Sequence, residues 1–199
     1  MKARLFAIGL ALCFHTHSSI ASEGIVVFIG SAGGYAIGTS GWSFEPLADI
    51  SVTSLGCFDY IIGSQSPISV GLWAPDGSLL ASSVVTGSSQ LVNQTRYEPI
   101  NPVLLSAGQT YEVGAYSSSG AIILASANPG DGGSVTTSSG IQFGGAVANF
   151  QGFGFPTPVE NGAGVAFLTA NFQYVTVPEP SSIALLLLCG GLIGWRKKL

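Results

Sequence analysis

Between residues 22 and 176 no stretch places its apolar residues at helical spacing. Short runs instead alternate apolar with polar positions, and Gly, Pro, Asn, Asp or Ser interrupts them roughly every ten residues. Successive side chains of a strand point to opposite faces, so Ile68, Val70 and Leu72 in Ile68-Ser69-Val70-Gly71-Leu72 share one face. Pro75-Asp76-Gly77-Ser78 supplies a turn, and Leu79 to Val85 returns as the second arm of a hairpin. Asp49 to Thr53 alternates and slips at Ser54-Leu55, which predicts a bulge. Tyr111, Val113 and Ala115 are expected in a core, with Glu112 pointing to water. Ala121 to Ala125 and Ile141 to Val147 are weaker strands. Gly164 to Val175 is apolar on both faces, as a strand in the middle of a sheet would be. The expected fold is all-β, an antiparallel β-sandwich of jelly-roll-like type spanning residues 22–176, with a barrel as the alternative.

The charges are distributed unevenly. Of six basic residues, Lys2, Arg4, Arg196, Lys197 and Lys198 lie at the two ends, leaving Arg96 alone within 22–176. Against it stand Glu23, Glu45, Asp49, Asp59, Asp76, Glu98, Glu112, Asp131 and Glu160, one positive and nine negative charges, a net of −8. Such a domain lacks the clustered cations that displace counterions from a phosphate backbone, so nucleic acid is excluded as a partner. Both histidines, His15 and His17, precede residue 22, and no lysine lies between residues 22 and 176. Ser-His-Asp triads, Cys-His dyads, Ser-Lys pairs and His-bearing metal sites are therefore unavailable to the domain. Cys57 has no second cysteine in this span to pair with and is expected to be a small core residue.

The ends carry addresses. Lys2 and Arg4, the apolar run Leu5 to Phe14 and the small-x-small Ser19-Ile20-Ala21 form a secretory signal peptide, residues 1–21, expected to be cut after Ala21. It directs the chain to the general secretion machinery. At the other end Val177-Pro178-Glu179-Pro180 cannot enter a helix or strand ladder, because its prolines lack amide donors. Ser181 to Trp195 follows as an apolar stretch of 15 residues, short against the roughly 20 of a comfortable span, and Arg196, Lys197 and Lys198 close it as a cytoplasmic stop.

This order of Pro-Glu-Pro, short apolar run and basic end resembles the PEP-CTERM sorting signal of exported bacterial proteins. The resemblance implies an exosortase-like enzyme that recognises Val177, Pro178, Glu179 and Pro180. It further implies an inner-membrane intermediate held by a transmembrane segment at about 181–195, and a final place at the surface or in the extracellular matrix of a Gram-negative cell. The stretches Gly41-Trp42-Ser43-Phe44, Val70-Gly71-Leu72-Trp73, Asp76 to Ala81 and Gly108 to Gly114 are similar to uncharacterised secreted β-sandwich domains that accompany such tails.

Little remains for chemistry. Glu45, Asp49, Asp59, Glu98 and Glu112 could serve a carboxylate-dependent glycosidase only as a close pair in a cleft. Arg96 is expected to clamp Glu98 or Glu112, to recognise a ligand carboxylate, or to form a surface ion pair. Asn128 to Gly133 has the look of a calcium loop but holds one carboxylate, Asp131, so no metal and no cofactor is assigned. Aromatic faces can stack on sugar rings, which makes Trp73, Trp42 and Phe153 the candidate ligand-binding residues. Trp73, of opposite parity to Val70 and Leu72, is expected either exposed or packed between the sheets, and Trp42 is expected in the core by default. Phe150-Gln151-Gly152-Phe153-Gly154-Phe155-Pro156 reads as a loop that presents aromatics, either capping the open end of the sandwich or meeting a partner. The leading expectation is a non-enzymatic cell-surface or matrix protein. The alternative is a module that binds exopolysaccharide, and a glycosidase is the third reading.

Overall fold

A computed structural model describes residues 21–29, 31–36, 38–59, 67–117, 122–126, 134–159 and 170–178. With strands numbered along the chain, one sheet runs β1 (Ser22–Glu23), β15 (Ala170–Thr176), β5 (Ile50–Phe58), β9 (Thr95–Leu105), β8 (Gln90–Val92). A second runs β14 (Thr157–Pro158), β13 (Ile141–Asn149), β4 (Thr39–Pro46), β10 (Tyr111–Ser117), β6 (Ile68–Trp73), β7 (Leu79–Val85). Two short ladders pair β3 (Ser31–Ala36) with β11 (Ile122–Ser126), and β2 (Ile25–Ile29) with β12 (Ser134–Thr137). All pairings are antiparallel, and the chain passes between the two large sheets at β4 to β5, β5 to β6, β7 to β8, β9 to β10 and β14 to β15. The β-sandwich expected from the alternating pattern is the fold.

The two sheets enclose an aromatic centre. Trp42 and Phe44 project from β4 onto Phe172 of β15, with ring centroids 5.6 and 4.5 Å apart, and Phe143 stacks on Trp42 at 5.8 Å. The Trp42 indole N–H donates to the Ala170 carbonyl at 2.8 Å, so the buried ring bridges the sheets and leaves no donor unpaired. Ile68, Val70, Leu72, Val113, Ala115, Val52, Leu55 and Cys57 fill the rest of this layer. Cys57 is fully buried, as a small apolar residue would be, and burial pushes its thiol far above its ordinary value.

Register departs from ideal pairing where the sequence slips. Between β5 and β9 it shifts between Val52 and Ser54, a bulge at the break in alternation. Of the final strand expected over 164–175, the described part is β15, from Ala170 onward, and residues 160–169 lie outside the described residues. It occupies an inner position, between β1 and β5.

The first described residues are woven into this last strand. Ser22 and Glu23 pair with Tyr174 and Gln173, and the Gly24 amide donates to the Phe172 carbonyl at 2.9 Å. The Asn171 side chain then acts as a surrogate strand for Ile25. Its Oδ1 accepts from the Ile25 N–H and its Nδ2 donates to the Ile25 carbonyl, both at 3.0 Å and both buried. Glu23 is held by the Tyr97 hydroxyl at 2.8 Å and the Asn93 amide at 2.6 Å.

Candidate functional site

Strand alternation sends half of the six-stranded sheet outward, away from the aromatic centre. Register aligns Trp73, Glu112 and Ser43 in one row of this outer face, Gly71, Gly114 and Gly41 in the next, and Ser69, Tyr116 and Thr39 in a third. The three adjacent glycines leave a floor without side chains. Trp73 fills part of it, because a Cβ on Gly71 would come within 2.4 Å of the indole and one on Gly114 within 3.5 Å.

Of the two places open to Trp73, solvent or packing, the structure buries it at 2% exposure. Its parity is outward as predicted, but the aromatic loop 150–156 folds back over the outer face. The Phe153 ring sits 5.5 Å from Trp73 and 6.3 Å from Tyr116. Thr39 fixes the loop by donating its hydroxyl to the Gly152 carbonyl at 2.7 Å and accepting from the Gly154 N–H at 3.1 Å. Asn149 adds two bonds, Oδ1 accepting from the Gln151 N–H and Nδ2 donating to the Phe155 carbonyl. Gly152 has φ of 146°, a conformation open to glycine and closed to most side chains. Of the aromatic candidates, Trp73 and Phe153 are thus brought together, whereas Trp42 lies in the core between the sheets. The rings left exposed are those of Phe150 and, in part, Phe153. Phe150 borders a cleft of about 560 Å³ with Asn149, Gln151, Phe155 and Thr157.

Glu112 departs from expectation. It faces outward between Ser43 and Trp73 in register but is only 7% exposed, and its Oε2 has no hydrogen-bond partner. Loss of hydration pushes its carboxyl up to about 7. Of the other candidate acids, Asp49, Asp59 and Glu98 have structural partners, and Glu45 lies half-buried on β4 opposite Gln142. Asp59 pairs with Arg96, whose Nη1 also donates to the Ser89 carbonyl at 3.0 Å. Arg96 therefore makes a surface ion pair and clamps neither Glu98 nor Glu112. Glu98 accepts from the Ser89 hydroxyl, and Asp49 from the Ala107 N–H at 2.9 Å. Asp76 accepts from the Ser78 hydroxyl and N–H within its turn, which holds its carboxyl below the usual range. Among the described residues no three His, Cys, Asp or Glu side chains cluster to hold a metal ion. The 128–133 loop, with Asp131, lies outside the described residues.

The exit of the chain is the second site. Thr176 pairs with Ile50, the Val177 N–H donates to the Asp49 carbonyl at 2.9 Å, and Pro178 is exposed. Ordered strand pairing therefore ends within a residue of the Pro-Glu-Pro handle. Glu179, Pro180, the apolar segment and Arg196, Lys197 and Lys198 lie outside the described residues, as do residues 1–20 of the expected signal peptide. Among the described residues no helix is long and apolar enough to cross a membrane.

Residues 31–167 match the family described as Domain of unknown function (DUF4082). The chain belongs to this family. Residues 176–198 match the PEP-CTERM protein-sorting motif, on the handle and tail read from the sequence. No curated protein matches the chain. The DUF4082 match begins after β1 and β2 and stops short of β15, although β1 and β15 belong to the five-stranded sheet of the sandwich. The sorting motif makes this an exported bacterial protein, directed to the cell envelope or surface through recognition by an exosortase-like enzyme.

Proposed function

We propose that this DUF4082 protein is a non-enzymatic component of the cell surface or extracellular matrix of a Gram-negative bacterium. It is carried out by its signal peptide, held in the inner membrane by residues 181–195, and released or re-anchored when the exosortase-like enzyme acts at Val177 to Pro180. The observation that carries this reading is the handle directly abutting the last strand, with the Val177 N–H still bonded to the domain. A non-enzymatic role is supported by the acids themselves: Asp49, Asp59, Asp76 and Glu98 hold turns and strand ends, and Glu112 is buried without a partner. The test of sorting is Glu179→Ala in the producing cell. Accumulation of unprocessed protein in the inner membrane is expected, and normal processing would refute the assignment.

A second reading, binding of exopolysaccharide, is favoured by one feature. Phe150 is 60% exposed beside the cleft bordered by Asn149, Gln151 and Thr157, an apolar face next to amides and a hydroxyl, which suits a sugar ring. Trp73 packs on Phe153 of the same loop, and Trp42 lies in the core away from this cleft. Saturable binding of the full chain to exopolysaccharide of the producing cell, with or without calcium, and its loss in Phe150→Ala would establish this reading. Binding unchanged by that substitution would remove the ledge from consideration.

A further inference from the structure

The register of β1 against β15 places both ends of the domain at one pole. β15 runs toward Thr176, and β1 runs antiparallel to it from Ser22 opposite Tyr174, so residue 21 and residue 177 leave the sandwich on the same side. The same pole carries the turn from β4 to β5, residues 47–49, and the turn from β9 to β10, residues 106–110. The two are tied together by bonds from the Gly108 N–H to the Pro46 carbonyl and from the Ala107 N–H to Asp49.

The tether from this pole is short. Four residue steps separate Val177 from Ser181, and a fully extended chain spans at most about 3.6 Å per residue, so the apolar segment begins within about 14 Å of the Val177 amide. Its prolines favour an extended backbone with little slack. A headgroup layer is roughly 5–8 Å deep on each side of the hydrocarbon. A domain anchored this closely cannot stand clear of the membrane. Two of the most exposed large apolar side chains lie at this pole: Leu47 in the first turn, 57% exposed, and Leu104 beside the second, 65% exposed.

We propose that the pole formed by these two turns, with Leu47 and Leu104 at its surface, rests on the lipid headgroups of the membrane that holds the tail. The proposal depends on the tail being seated in the membrane as described above. The partner is lipid through its interfacial apolar zone and not through anionic headgroups. Asp49 lies at this pole, and Arg96, the one cation among the described residues, pairs with Asp59 beyond the opposite end of β5. The opposite pole, with Phe150 after Asn149, consequently faces away from the membrane.

The test uses the chain cut after Ala21, the form that the tail would hold in the membrane, with Cys189→Ser, in which Cys57 is buried. A fluorophore is attached at Leu47→Cys, Leu104→Cys or Phe150→Cys, and each labelled protein is reconstituted in phosphatidylcholine vesicles with or without phosphatidylglycerol. The labels at 47 and 104 are expected to shift to shorter wavelength and to be quenched by spin-labelled lipid in both vesicle types, whereas the label at 150 stays accessible to aqueous iodide. Iodide-accessible labels at 47 and 104 on protein that floats with the vesicles would overturn the proposal while leaving the seated tail intact. Failure to float would refute the tail reading and the proposal with it. A shift that appears without vesicles would identify a second copy of the chain as the occupant, and a shift confined to vesicles with phosphatidylglycerol would assign the contact to anionic headgroups; either overturns the proposal.

Discussion

Glu112 shows how one buried carboxylate ties stability to pH. Its carboxyl titrates at about 7 in the folded chain against an ordinary 4.5, so the folded state prefers the protonated form. Stability from this group is present in full below pH 4.5 and is lost as the pH rises to about 7, at about 1.4 kcal/mol per pH unit within that window. Glu112→Gln keeps the shape and removes the charge. Urea denaturation is expected to find it more stable than the parent at pH 8, by up to about 3 kcal/mol, and equal to it near pH 4; parallel profiles would contradict the burial of this group. Gly71 carries a steric version of the same dependence on the outer face. Gly71→Ala would place a methyl within 2.4 Å of the Trp73 ring, so the indole must move. A loss of about 1–3 kcal/mol is expected from overpacking, together with a red shift in tryptophan emission as the indole meets water.

Among elements, β1 with the start of β2 matters more than its length suggests. A two-residue strand contributes little pairing, but Asn171 extends it by satisfying both backbone groups of Ile25 inside the structure. Asn171→Ala leaves a buried donor and a buried acceptor without partners, which costs about 2–4 kcal/mol and is measurable as a lower urea midpoint. The aromatic loop 150–156 depends similarly on Thr39, whose one hydroxyl both donates to Gly152 and accepts from Gly154. Thr39→Val is close in shape and lacks both bonds. It is expected to cost about 1–2 kcal/mol and to open the loop to proteolysis at Phe150 or Phe153 while the sandwich core stays protected; uniform protection would show that ring packing alone holds the loop.

At the scale of the whole molecule, the strand order joins address and architecture. The segment matching DUF4082 omits β15, yet β15 bears Phe172 at the centre of the core and leads directly into the handle. Sorting and folding are therefore coupled at Val177: a cut at or after Pro178 spares every strand, whereas one inside β15 would destroy the sandwich. The sorted product is expected to retain an intact last strand, and mass spectrometry of the mature protein checks it by locating the C-terminus beyond Thr176.

The linear chain by itself determined what depends on local order. Period-two alternation at Ile68 to Leu72, the turn at Pro75 to Ser78, the bulge after Val52 and the Pro-Glu-Pro tail are properties of neighbouring residues, and each is legible without a fold. Long-range packing decided the rest. Parity correctly placed Trp73 and Glu112 on the outer face, but alternation assigns a face and says nothing about what covers it. Here the cover for Trp73 is a loop about 80 residues away in sequence, pinned by Thr39, a threonine with no local motif around it. The same holds for the pairing of Ser22 with Tyr174, which depends on sheet closure, and for the Arg96 ion pair, because every acid in the domain is an equal candidate until the end of β5 brings Asp59 to it. The destination was written in consecutive residues, and the surface that the domain presents there was decided by contacts between distant ones.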